Sequence, residues 1–320
     1  MVLEIEDLKI YYNTRKGIVK AVDGVSFHVK KGEVLGLVGE SGCGKSTTGF
    51  GILKILPGNA TVSGKIVLDG EDLVKKSEKE MQRVRGKDVS MIFQDPMTSL
   101  NPIMKVKDHF IETIKTHRPD VSESEALDMT AKALEEVGID PIRMNDYPFQ
   151  FSGGMRQRVM IALSIVLNPK LVIADEPTTS LDVIVQAQIL ELLKKLKEEH
   201  DMSMILITHD LGVVAEMADR IAVMYAGHLV ELADSDSIYH NPKHPYTKAL
   251  LSSIPNTDMN DLELRYIPGS PPDLANPPKG CRFAPRCPFA RDVCFEKVPP
   301  DRMVDGSLVK CWLYEGDEDG

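Results

Sequence analysis

Apolar and polar residues alternate from residue 25 to 29, the pattern of a strand with one buried face, and the run Val34-Leu35-Gly36-Leu37-Val38 is continuously apolar, the pattern of a fully buried strand. A helix is predicted to start at Lys45 and to run to residue 56, stopped by Pro57-Gly58, with further strands at 66–68 and 89–93. Ser122 and Glu125 form a capping-box pair ahead of a helical stripe, Leu127, Ala131, Leu134 and Val137, that closes at Gly138. Residues from about 95 to 155 therefore read as a mostly helical insertion. Two more apolar runs, 171–174 and 204–207, flank the amphipathic stretch 185–200, which is the βαβ rhythm of a parallel sheet. Residues 221–233 alternate around Gly227 and predict a hairpin. After residue 235 the pattern changes: Pro268, Pro271, Pro272, Pro277 and Pro278 predict an extended, irregular stretch, and residues 315–320 form an acidic tail expected to fray.

Composition narrows the class. A chain of 320 residues has room for roughly two domains with cores of their own, and 42% hydrophobic with 27% charged residues is ordinary globular composition. Counts of 38 Lys+Arg and 48 Asp+Glu leave a net charge of −10, which argues against a protein that wraps nucleic acid. No run approaches the roughly 18 apolar residues that span a bilayer, and the acidic start Met1-Val2-Leu3-Glu4-Ile5-Glu6 lacks the basic opening of a signal peptide. The chain is expected to be cytosolic, with any membrane role supplied by partner subunits.

Gly39-Glu40-Ser41-Gly42-Cys43-Gly44-Lys45-Ser46 has the spacing G-x-x-x-x-G-K-[ST], placed after a buried strand and at the start of a helix. Glycines let backbone N–H groups wrap a phosphate, and the helix N-terminus adds a favourable dipole. Lys45 is expected to reach the β- and γ-phosphates of a nucleotide and Ser46 to ligate Mg²⁺, with Gly39, Ser41, Gly42, Gly44 and Thr47 around them. Cys43 reads as a small loop residue rather than a metal ligand. Asp175-Glu176, at the end of an apolar run, offers one carboxylate for the Mg²⁺ and a second that can polarise an attacking water. Ser152-Gly153-Gly154-Met155-Arg156-Gln157 is a second glycine-containing helix start suited to an anion.

These motifs, in this order, resemble those of ABC transporter ATP-binding subunits. The resemblance makes Lys45 and Ser46 part of Walker A, Gln94 the Q-loop, Ser152, Gly153, Gly154 and Gln157 part of the signature motif, Asp175 and Glu176 Walker B, Ser180-Leu181-Asp182 the D-loop and His209 the H-loop. Tyr12, rather than Tyr11, takes the place of the ring that stacks on adenine. It implies a fold: an α/β P-loop (RecA-like) nucleotide-binding domain over residues 1–235, with antiparallel β and helical subdomains, then an irregular Cys-rich extension over 236–320. It also implies a mechanism in which two such domains meet head to tail, each signature motif completing the other's ATP site. Glu176 is then the general base; Gln94 and His209 orient water and γ-phosphate; Ser46, Gln94 and Asp175 hold Mg²⁺; Asp182 couples the two sites.

Narrower features, Gln94-Asp95-Pro96-Met97-Thr98-Ser99-Leu100-Asn101-Pro102, His244-Pro245-Tyr246-Thr247 and the proline-rich segment, resemble the dipeptide and oligopeptide importer ATPases. That resemblance implies two permease subunits, a second ATPase in a heterodimer or homodimer, an extracytoplasmic substrate-binding protein and a peripheral position on the cytoplasmic side of the cell membrane. Importers of sugars or nickel, and a soluble ABC ATPase acting on nucleic acid or ribosomes, are the alternative readings.

Cys281, Cys287, Cys294 and Cys311 are spaced C-x5-C-x6-C-x16-C, without the close pairs of a zinc ribbon. In a cytosolic chain such a group reads as metal rather than disulfide. Four thiolates on an irregular loop, one of them followed by Pro288, suit a four-iron four-sulfur cluster, with zinc and free thiols as alternatives. Arg282, Arg286 and Arg291 are expected to place positive charge beside that anionic group.

Overall fold

The computed structural model describes residues 1–179, 181–253 and 267–315. Its strands are β1 (Leu3–Thr14), β2 (Gly17–Val29), β3 (Val34–Val38), β4 (Ala60–Leu68), β5 (Glu71–Asp72), β6 (Val89–Ile92), β7 (Leu171–Asp175), β8 (Ser203–Thr208), β9 (Arg220–Tyr225), β10 (His228–Asp234), β11 (Asp301–Val304) and β12 (Ser307–Lys310). The helices are α1 (Lys45–Ile52), α2 (Glu78–Val84), α3 (Pro96–Ser99), α4 (Val106–His117), α5 (Glu123–Glu136), α6 (Gly153–Ile165), α7 (Val183–His200), α8 (Leu211–Met217), α9 (Ser235–His240), α10 (Pro245–Ser252) and α11 (Asp292–Glu296). No helix among the described residues is long and apolar enough to cross a membrane.

The contacts divide the chain into two compact units. One comprises Met1–Val2, Val29–Glu33 and Lys75–Leu206. Here β8, β7 and β6 lie side by side, with β6 and β7 parallel from Val89 opposite Leu171 to Ile92 opposite Ala174. All five residues of β7 are buried, which is why its sequence shows no alternation. The helical insertion packs its buried stripe, Ala126, Thr130, Ala133 and Leu134 of α5 with Phe110 and Ile114 of α4, in the same unit. Its predicted capping box is present: Ser122 accepts from the Glu125 N–H and Glu125 accepts from the Ser122 N–H.

The other unit comprises Leu3–His28, Val34–Val74 and the described part of Ile207–Gly320. It holds an antiparallel sheet in the order β2-β1-β4-β5, with β1 and β4 in register from Leu3 opposite Leu68 to Tyr12 opposite Ala60 and a break between Glu6 and Lys9. A second run of strands follows the order β11-β12-β10-β9-β3, in which β3 and β9 are parallel and β9 and β10 form the hairpin predicted around Gly227.

Two expectations change. The helix after the phosphate motif ends at Ile52 rather than residue 56, since Leu53 caps it and Lys54 turns into the left-handed region at φ 53°. The C-terminal extension is less irregular than its prolines predict. It contains α9, α10 and α11, and its β11–β12 hairpin adds to β10 through Glu231 opposite Val309 and Leu232 opposite Leu308. Ser180 and all but the first residue of the acidic tail at 315–320 lie outside the described residues.

Candidate nucleotide site and cysteine module

The phosphate motif forms the turn it needs. The buried strand β3 delivers the chain to Gly39, and Gly44, at φ 107°, caps the N-terminus of α1. Gly39 sits at φ 150° so close to the Met224 carbonyl that any Cβ would collide with it. The Gly227 N–H donates to the Cys43 carbonyl at 2.9 Å, which ties the loop to the β9–β10 turn. Lys45 is buried, and its Nζ donates to the Gly39 carbonyl at 2.7 Å and the Glu40 carbonyl at 3.2 Å. Ser41 and Gly42 are exposed, and Ser46 and Thr47 stand half-buried in the first turn of α1. Cys43 is buried within the loop, and burial pushes its thiol pKa up, which favours the protonated form.

Tyr12 and His209 belong to the same unit as the phosphate loop. The Tyr11 hydroxyl donates to Asp23 at 2.5 Å. Tyr12, the next residue, is half-buried near the end of β1. His209 is exposed directly after β8, ahead of α8, whose N-cap Asp210 accepts from the Gly212 and Val213 N–H groups.

The remaining motif residues lie in the first unit. Asp175, 3% exposed, ends β7, and Glu176 follows in the left-handed region at φ 44°. That unusual backbone turns its carboxylate out of the strand direction. Gln94 Nε2 donates to Glu176 Oε2 at 2.9 Å and Thr179 Oγ1 donates to the same oxygen at 2.8 Å. The structure thus joins Gln94 to Glu176, 82 positions apart, and adds Thr179, which the motif spacing does not single out. Ser152 is the N-cap of α6, accepting from the Met155 N–H, and Asp182 is the N-cap of α7, accepting from the Val185 N–H at 3.0 Å. Gly154 lies against Val185, where a Cβ would stand 2.6 Å from Cγ1, so α6 and α7 approach more closely than any other residue permits. Gly153 lies one position earlier in α6, and Gln157 is buried further along the same helix.

Cys281, Cys287, Cys294 and Cys311 line one cavity with His244, Phe283 and Phe289 among others. Among the described residues, no three cysteine, histidine or acidic side chains come together tightly enough for a single metal ion. Burial pushes the Cys281 and Cys311 thiols up to about 11 and the Cys287 thiol up as well. Two of the three arginines predicted to serve the cysteines turn elsewhere, whereas Arg291 stays beside them, its charge acting to lower the Cys311 thiol pKa against the larger effect of burial. Arg282 pairs with Asp23 at 2.5 Å, Arg286 pairs with Glu40 of the phosphate loop at 2.7 Å, and Arg291 donates to the Trp312 carbonyl. His244 caps α10 by accepting from the Tyr246 N–H, and Tyr246 hydroxyl accepts from the Glu40 N–H at 2.9 Å.

A buried strand, a glycine loop with a buried lysine and a helix starting at that lysine define the P-loop class of nucleotide-binding proteins. Residues 22–179 match the ABC transporter family, and residues 230–294 match the oligopeptide/dipeptide transporter C-terminal region. The chain is 52% identical to the oligopeptide transport ATP-binding protein OppD of Bacillus subtilis (strain 168) over 98% of its length and 89% of the relative's. It is 49% identical to the dipeptide transport ATP-binding protein DppD of the same organism, over 98% and 95%. Among solved structures, the dimeric post-hydrolysis state of an ATP-binding cassette bound to ADP and Pi aligns with a TM-score of 0.66 at 26% identity, covering 73% of this chain and 98% of that one. The chain belongs to the family of ABC transporter ATP-binding subunits of the oligopeptide and dipeptide transporters.

Proposed function

We propose that this chain hydrolyses ATP to power the import of di- or oligopeptides through a membrane transporter. The observation that carries the hydrolytic part is the Glu176 carboxylate, fixed at a strand end by Gln94 and Thr179 beside the buried Asp175. In this reading residues 1–235 form the ATPase domain and 236–320 an extension. Lys45 exchanges its bonds to the Gly39 and Glu40 carbonyls for bonds to the β- and γ-phosphates, while the N–H groups of the loop from Ser41 to Thr47 receive the remaining phosphate oxygens. Tyr12 stacks on the adenine. Ser46, Asp175 and Gln94 supply oxygen donors that suit Mg²⁺, which when bound neutralises phosphate charge. Glu176 takes the proton of the attacking water, and His209 donates to the γ-phosphate. Ser152, Gly153, Gly154 and Gln157 serve the nucleotide of a second ATPase subunit, with Asp182 linking the two sites. The family relationship supports two permeases, a second ATPase and a position on the cytoplasmic face of the membrane, with no nucleic-acid partner. Phosphate release from Mg-ATP by the purified complex tests the ATPase assignment: Lys45→Ala is expected to abolish it, and turnover that survives this change would refute the site.

The extension is proposed to carry a four-iron four-sulfur cluster on Cys281, Cys287, Cys294 and Cys311. The support is that the four thiols line one cavity, as the shared ligands of a single cluster must. When bound, the cluster supplies a structural crosslink between the three segments that bear the cysteines. Iron and acid-labile sulfide measured after anaerobic purification test this; one zinc per chain would refute it.

A further inference from the structure

The segment between Cys281 and Cys287 sends one side chain, Arg286, onto the phosphate-binding loop, and Phe283 and Arg282 anchor that segment on either side. Arg286 makes a two-pronged contact with the Glu40 carboxylate, Nη1 to Oε2 at 2.7 Å and Nη2 to Oε1 at 3.0 Å, and its guanidinium also donates to the Pro268 and Ile267 carbonyls and the Tyr225 hydroxyl. The arginine side chain is 4% exposed. Phe283 packs edge-on against Tyr225 and Tyr246, with ring centroids 5.1 and 5.4 Å apart, and Tyr246 is the residue whose hydroxyl takes the Glu40 N–H. Arg282 ties the segment between Cys281 and Cys287 to β2 and the β9–β10 turn, through the Lys20 and Ala226 carbonyls and Asp23. Both the backbone and the side chain of Glu40 are thus gripped by the C-terminal region. The Glu40 carbonyl in turn accepts from Lys45 Nζ and from the Cys43 N–H.

A carboxylate inside a loop that binds a polyphosphate opposes its ligand unless its charge is cancelled. We propose that Arg286 is a positioning residue for nucleotide binding, neutralising Glu40 and fixing the phosphate loop through it, so that the loop between Cys281 and Cys287 sets the affinity for ATP. The fork of a guanidinium suits this role, since it matches both carboxylate oxygens at once where an ammonium matches one. The proposal rests on the assignment of residues 39–46 as the ATP phosphate site.

The test is ATP and ADP binding to the full-length chain in its complex, with thermal stability followed alongside. Arg286→Met is expected to weaken ATP binding by about tenfold or more, the size of one lost charge-assisted pair, and ADP binding by less because it brings less charge. Glu40→Gln alone is expected to cost less than Arg286→Met, and adding Glu40→Gln to Arg286→Met is expected to restore much of the lost affinity, a recovery that a purely structural role for Arg286 does not produce. Arg286→Lys, which keeps the charge and is the least disruptive change, is expected to fall between wild type and Arg286→Met. ATP affinity unchanged in Arg286→Lys and Arg286→Met, or a double variant no better than Arg286→Met, would overturn the proposal. Failure of the underlying assignment looks different: the wild type would not bind ATP, or Lys45→Ala would bind it as tightly as wild type.

Discussion

Replacing Glu176 by Gln removes a base while keeping a shape. The hydrogen bonds from Gln94 and Thr179 both end on Oε2, at 2.9 and 2.8 Å, and the amide oxygen of glutamine can occupy that position and accept both. Two charge-assisted bonds become neutral ones, a change in folding stability on the order of 1 kcal/mol at a half-buried position. The φ of 44° is unchanged, since glutamine meets the same backbone cost as glutamate. Proton abstraction from water, however, loses its acceptor. Positioned general bases contribute about 10²- to 10⁴-fold, or roughly 3–5 kcal/mol of transition-state stabilisation. Glu176→Gln is therefore expected to slow steady-state phosphate release from Mg-ATP by at least about a hundredfold while ATP affinity stays near wild type. Phosphate release and equilibrium nucleotide binding, measured on the same preparation, separate the two effects. Turnover within a few-fold of wild type would show that another group takes the proton and would refute the role given to Glu176.

Other expectations test the packing around the site. Gly154→Ala places a methyl group 2.6 Å from Val185 Cγ1 and is expected to lower stability by about 1–3 kcal/mol, read as a fall in Tm; an unchanged Tm would mean that α6 and α7 part easily. Arg282→Met leaves the Asp23 carboxylate, 18% exposed, without its buried partner and is expected to cost roughly 3 kcal/mol in chemical denaturation, with much of it recovered on adding Asp23→Asn; additive losses would refute that pairing. Burial pushes His244 down to about 3, whereas the unfolded chain titrates near 6.5, so the unfolded state takes up the extra proton between those values and stability falls as pH drops through that window. From pH 7 to 5 this residue accounts for about 2 kcal/mol of acid sensitivity, and His244→Asn, which can still cap α10, is expected to show an acid loss smaller by that amount. Identical pH slopes in the two proteins would refute it.

What the sequence reveals depends on how far apart the cooperating residues lie. The phosphate loop is legible because strand, glycines, lysine and helix fall within a dozen consecutive positions, and their spacing alone dictates the turn. The capping box at Ser122 and the buried run of β7 are legible for the same reason. Gln94 and Glu176 are joined across 82 positions, and only the family resemblance connects them; Thr179 carries no motif signal, although its place three residues beyond Glu176 puts its hydroxyl within reach. The Arg286–Glu40 pair spans 246 positions, and no periodicity points to it. Charge counting near the cysteines assigned Arg282 and Arg286 to the wrong partners because it sees sequence neighbours, not the carboxylates that the fold brings alongside. The β11–β12 hairpin did leave a signal, Asp305-Gly306, both at positive φ between two short alternating strands, which the nearby prolines obscured.

Peptide uptake into liposomes containing the purified complex, with ATP supplied on the side of this subunit, tests the central claim most directly. Labelled di- or oligopeptide is expected to accumulate with ATP, to stop accumulating when Glu176 is changed to Gln, and to be outcompeted by unlabelled peptide but not by sugar or nickel. Accumulation that proceeds without ATP, or a complex that hydrolyses ATP and moves sugar or nickel in place of peptide, would contradict it.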